Sequence, residues 1–192
     1  MQDIIAMASR KNIALVAHDN KKEELVAWAK FNCRVLAEHS LCSTRTTGEI
    51  LRNRLGLNVT LLESGALGGD QQIGSRITEG QIDFVIFFLD PLQSQPHDDD
   101  VKALLRITVV WNVPLACNRA SADFLISSPL MTTGYKRVFP NHSKHRARLR
   151  VGSHSKLAAE GAVESLRQRR HLGVHERDGE EVASFTPGNP LK

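Results

Sequence analysis

The 192-residue sequence contains no apolar run approaching the roughly 20 residues that a membrane-crossing helix needs. The longest uninterrupted one is Phe84 to Leu89. Met1 to Asn12 has no basic stretch leading into a long apolar one, so a cleaved secretion signal is not expected and a cytoplasmic location is. Cysteine is scarce. Cys33, Cys42 and Cys117 form an odd set without CxxC spacing, which argues against a disulfide framework and a structural zinc site and leaves buried reduced thiols as the expectation. No repeat recurs at a solenoid period. Charge of one sign is also missing from most of the chain. From Lys136 onward there are 12 Lys plus Arg against 6 Asp plus Glu, which leaves 13 against 15 before it. The net +4 is therefore a property of the tail, and the near-neutral front argues against nucleic acid as a partner.

At 41% hydrophobic residues, the chain can build one compact domain with a real core. Apolar runs rich in β-branched residues alternate with stretches of helical period, the signature of βαβ units and a mostly parallel sheet. Five strands are predicted near 13–17, 40–42, 58–62, 84–88 and 114–117. Helices are expected near 23–37, 48–55, 71–79, 98–111 and 121–127, with a further short strand near 137–139. The domain is placed at 1–140 and a basic tail, partly helical or disordered, at 141–192, where too few apolar residues remain for a second core.

Small, polar or charged residues follow each strand at once: His18-Asp19, Ser43 to Gly48, Glu63-Ser64-Gly65, Asp90-Pro91 and Asn118-Arg119. In an open parallel sheet the ligand crevice lies outside the carboxyl ends of the strands, so these segments should meet in space. The stretch Ser64 to Gln72, with glycines at 65, 68 and 69, joins a strand to a helix as an anion site would. It lacks the Gly-Lys-Ser/Thr of a nucleotide P-loop, so a small phosphate ester suits it better than a triphosphate. Asp70 is either the helix N-cap or a base in that crevice. The hydroxyls of Thr44, Thr46 and Thr47 either start a helix or cradle phosphate. Lys22 is either a solvated neighbour of Lys21 or a point charge on phosphate. His97 precedes Asp98, Asp99 and Asp100 at a helix start; it is either a surface loop residue or, facing the crevice, a neutral imidazole able to donate to a carbonyl oxygen.

In its order of motifs, residues 11–135 resemble the methylglyoxal synthase family. The matching stretches are Ile13 to Asp19, Ser64-Gly65 with Gly68 to Gly74, Glu79-Gly80 with Ile82-Asp83, Phe87-Phe88 with Asp90-Pro91-Leu92, Pro96-His97-Asp98 with Asp100 to Leu104, and Ala122-Asp123-Phe124. The resemblance implies a three-layer αβα subunit, flavodoxin-like or Rossmann-type, with a five-stranded mostly parallel sheet. It also implies a homohexamer, no metal or organic cofactor, dihydroxyacetone phosphate as substrate, and inorganic phosphate as product and inhibitor. Carried over, Asp70 would be the proton-abstracting base, and His97 would contact the carbonyl and help move protons. Asp100 would join the catalytic group as a supporting carboxylate, with Asp19 and Asp90 beside it. Lys22, Thr44, Thr46, Thr47, Ser64 and Gly65 would hold the phosphate, and His18 would bind substrate at the mouth.

Three residues depart from the family pattern. Arg45 stands where glycine is usual, at a cost of about 1 to 2 kcal/mol if that backbone needs positive φ, although a guanidinium there could also bind phosphate. Ala66 and Leu89 replace a usual Pro and Trp. Rival readings are a non-catalytic effector-binding module of the same fold and an inactive subunit.

Overall fold

The computed structural model describes residues 4–93, 98–138 and 142–143. The chain divides into two units, Met1–Asn141 and His142–Lys192. The tail expected at 141–192 lies outside the described residues except for His142 and Ser143, as does His97.

Five strands form one sheet, and all its pairings are parallel. They are β2 (Asn12–Ala17), β3 (Ser40–Ser43), β4 (Val59–Leu61), β5 (Phe84–Phe88) and β6 (Leu115–Ala116), in the order β4-β3-β2-β5-β6. This is a doubly wound, Rossmann-type order, and the strand sequence reverses beside β2, where β3 and β5 flank it. The core strands read as continuous apolar runs because both faces are covered. Phe84 to Phe88 are all buried, and so are Ile13 to Ala17.

Side chains alternate across that sheet with period two. Ile13, Leu15 and Ala17 of β2 and Phe84, Ile86 and Phe88 of β5 pack one way, with Leu25, Trp28, Leu36, Leu51 and Ala122. Those partners come from α1 (Lys22–Phe31), α2 (Cys33–Ala37), α3 (Arg45–Leu55) and α6 (Arg119–Ile126). Ala14, Val16, Val85 and Phe87 point the other way, onto Ile73 and Ile77 of α4 (Gly69–Thr78) and Val101 and Leu104 of α5 (Asp98–Val110). Two apolar cores therefore sandwich one sheet, giving the expected three layers. Each fully buried Leu, Ile or Phe contributes roughly 1.5–3 kcal/mol.

The boundaries differ from expectation for local reasons. The helix expected over 23–37 breaks at Asn32, giving α1 and α2. α3 begins at Arg45 rather than 48 because extended Thr44 is its N-cap. α4 begins at Gly69 rather than 71 because Gly68, at φ +97°, turns the chain into it. The short strand expected near 137–139 is β7 (Tyr135–Val138), and it pairs antiparallel with β1 (Ile4–Met7), which the sequence reading did not anticipate. Of the cysteines only Cys42 is buried, and burial pushes its thiol up to about 11; Cys33 and Cys117 are half-buried.

Trp28, fully buried, ties α1 to α6 by donating from Nε1 to Asp123 Oδ1 at 2.8 Å. Asp123→Ala should strand that N–H and cost about 1–3 kcal/mol, read as a lower urea midpoint at unchanged m. Asp123→Asn keeps an acceptor oxygen and should recover most of the loss.

Candidate active site

The loops at the carboxyl ends of β2, β3 and β4, together with Phe87 of β5, line a cavity of about 190 Å³. From β2 come His18, Asp19 and Lys22; from β3, Thr44 and Thr46; from the turn after β4, Ser64, Gly65 and Ala66; and from α4, Asp70. Val16, Ala17 and Phe87 form its apolar floor.

His18 is held from two sides. Its Nδ1 accepts the Asp90 N–H at 3.0 Å, so the hydrogen of the neutral ring sits on Nε2. The ring meets Phe87 edge-on at 5.1 Å. Nε2 is buried and, among the described residues, has no hydrogen-bond partner. A donor is therefore fixed in the cavity wall.

Lys22 is drawn into the mouth rather than left in solvent beside Lys21. Its Nζ donates to Asp19 Oδ1 at 2.5 Å and to Thr46 Oγ1 at 3.0 Å, while Lys21 pairs with Glu24. Thr46 sits in the first turn of α3, where backbone N–H groups have no partner within the helix and the dipole favours an anion. A second set of such amides begins the 3-10 turn Gly65–Leu67 behind Ser64. An ammonium, several hydroxyls and two amide clusters thus face one small space.

Asp70 is 3% exposed and lies one residue inside α4, after Gly69. Gly68 occupies the N-cap, so the capping alternative for Asp70 is removed. Asp70 also borders a second, mostly apolar cavity of about 240 Å³ between α4 and α5, and Asp100 lines that one instead of the first. Thr47 is buried behind Thr44, with their Oγ1 atoms 3.5 Å apart, and does not line the first cavity. Asp90 also stands outside it. Its Oδ1 accepts the Leu92 N–H and its Oδ2 accepts from Asn20 Nδ2, each at 3.1 Å, which together hold its carboxyl below the usual range. Asn20 also donates to Gln93. Among the described residues no three His, Cys, Asp or Glu side chains gather to hold a metal ion.

Arg45 adopts no positive φ; among the described residues outside glycine, Asn112 alone does. The strain considered for Arg45 is absent. Its guanidinium turns to Glu63 Oε1 at 2.9 Å, away from the cavity.

Asn20 was missed from the sequence, while Glu63, Gln72 and Phe87 were named there only within longer stretches and given no role of their own. The sequence reading also assigned glycines 68 and 69 to ligand approach. Gly68 instead supplies the left-handed turn, and Gly69 lets α4 close against its own chain, because a Cβ there would lie 2.1 Å from the Glu63 carbonyl oxygen.

Fold and site together define a doubly wound α/β domain whose carboxyl-edge crevice is lined by a buried carboxylate, an ammonium and several hydroxyls. Residues 24–117 match the family described as MGS-like domain. The chain is 49% identical over 147 residues to a methylglyoxal synthase of Cellvibrio japonicus, covering 77% of this chain and 96% of that one. It is 54% identical over 142 residues to one of Saccharophagus degradans, covering 74% and 92%. The crystal structure of a methylglyoxal synthase from Elizabethkingia anophelis superposes with a TM-score of 0.72 at 50% identity, covering 75% of this chain and 95% of that one. This chain belongs to the methylglyoxal synthase family.

Gly69→Ala should force the Glu63–Ser64 backbone off α4, with a stability loss of about 1–3 kcal/mol. Inorganic phosphate binding, measured by calorimetry, should weaken with it, because Ser64 and Gly65 move away from Thr46.

Proposed function

We propose that this protein is a lyase that converts dihydroxyacetone phosphate to methylglyoxal and inorganic phosphate. The observation that carries the reading is that buried Asp70 faces the same small cavity as Lys22, Thr46, Ser64 and Gly65.

In this reading Lys22, Thr44, Thr46, Ser64 and Gly65 hold the phosphate, with Thr47 supporting Thr44 from behind. Asp70 takes a proton from C3, and the electron pair moves into the C2–C3 bond to form an enediolate. His18, through its Nε2 hydrogen, binds the substrate oxygens. His97, which lies outside the described residues, donates to O2 and returns protons. Anchoring substitutes for a collision, and the fixed donors stabilise charge as it develops. The C3 hydroxyl then loses its proton and becomes the aldehyde, the double bond shifts from C2–C3 to C1–C2, and the C1–O bond breaks, so that phosphate leaves with that bond's electrons and takes up the proton. The enol left behind takes up a proton at C1 and becomes methylglyoxal. Asp19 orients Lys22, Asp90 orients His18 through its backbone, and Asp100 acts on Asp70 from the second cavity. The steps call for a base, a donor and an anion grip, so the reading requires no cofactor.

Self-association into a homohexamer and a cytoplasmic location belong to the same proposal. Phe31 at 85% exposed and Phe124 at 81% line one surface hollow, which supports a covered interface. No helix among the described residues is long and apolar enough to cross a membrane.

Asp70→Asn should lower kcat by about 10²–10⁴-fold while inorganic phosphate still binds as in the wild type. Methylglyoxal and released phosphate are the quantities to measure from dihydroxyacetone phosphate. A wild type yielding neither, or an Asp70→Asn variant within tenfold of it, defeats the proposal.

A further inference from the structure

Two separate lips border the cavity, and one pair of side chains outside it links them. The first lip is the start of α3 with Thr44 and Thr46; the second is the turn with Ser64 and Gly65. Glu63 bridges them. Its carbonyl accepts the Arg45 N–H at 3.2 Å, its carboxylate Oε1 accepts from Arg45 Nη2 at 2.9 Å, and its N–H donates to Gln72 Oε1 of α4 at 2.8 Å. Glu63 thereby joins the starts of both helices that border the cavity.

We propose that the Arg45–Glu63 pair is a positioning strap that sets the spacing between the two lips and so tunes affinity for a phosphate monoester. This rests on the substrate class proposed above. Neither side chain lines the cavity, so the pair works through its neighbours, Thr46 on one side and Ser64 on the other. The backbone half of the bridge forms with any residue at 45 except proline. The side-chain half needs a guanidinium, whose planar fork matches a carboxylate. Both groups are close to half exposed, so the strap is weak, salt-sensitive and adjustable, with no share in the chemical step.

Arg45→Ala, Glu63→Gln and the double variant decide it, measured for KM and kcat with dihydroxyacetone phosphate and for inorganic phosphate affinity by calorimetry. Each single variant should raise KM and weaken phosphate binding about two- to fivefold, as suits an exposed ion pair. The double variant should add nothing further, kcat should stay near the wild-type value, and Arg45→Lys should recover part of the loss. Raising salt to about 0.5 M should erase the differences. Tighter binding in Glu63→Gln would mean that the freed guanidinium grips the anion itself, which overturns the strap. So would unchanged binding in both single variants, or a loss falling on kcat. If the wild type binds phosphate but makes no methylglyoxal, the proposed reaction fails while the calorimetry still tests the strap. If it binds no phosphate, both fail.

Discussion

Parallel pairing of β2 with β3 on one side and β5 on the other is the constraint on which the site depends. Ile13 sits level with both Leu41 and Phe84. That register brings the ends of the strands to one edge, so that loops separated by tens of residues open into the same space. Had one strand run antiparallel, His18 and Thr44 would lie at opposite ends of the sheet. The two apolar cores hold the register, since a slip of one residue would exchange the faces of β2 and expose each core to the wrong helices.

On that edge the electrostatics is assembled from small contributions. Helix starts and turn amides supply partial positive charge, and Lys22 supplies a full one. Asp19 and Thr46 keep Lys22 from swinging into solvent. Asp70, buried, lines the same cavity as Lys22. Asp90 and Asn20 act one step back, fixing the tautomer of His18 through the backbone and not through the cavity.

Much of this was legible beforehand, and the reasons are specific. β5 reads as a strand because five consecutive large apolar residues bounded by Asp83 and Leu89-Asp90 suit a strand covered on both faces. Thr44, Thr46, Ser64, Gly65 and Asp70 could be placed near one another because strand-to-helix junctions in a parallel sheet share an edge. What was not legible depends on distances between remote atoms. Nothing in the residues Ile4 to Met7 tells that they pair with Tyr135 to Val138. Nothing in Arg45 tells that its guanidinium turns to Glu63 and leaves its backbone unstrained. Gly69 could be recognised as permissive, but that it yields to a carbonyl of its own chain and not to a ligand is a fact of packing.

The amino-acid sequence by itself determined the alternation of strands and helices, the parallel sheet and the pool of residues able to bind an anion or take a proton. Those follow from local periodicity and side-chain chemistry, which each segment carries alone. The tertiary structure decided which of them share the cavity. It set Asp70, Lys22 and Ser64 on its walls, moved Asp100 to a neighbouring cavity and Thr47 and Asp90 outside it, and turned Arg45 outward. Such choices are made by ångström-scale approach between segments far apart in the chain, and no local pattern encodes that distance.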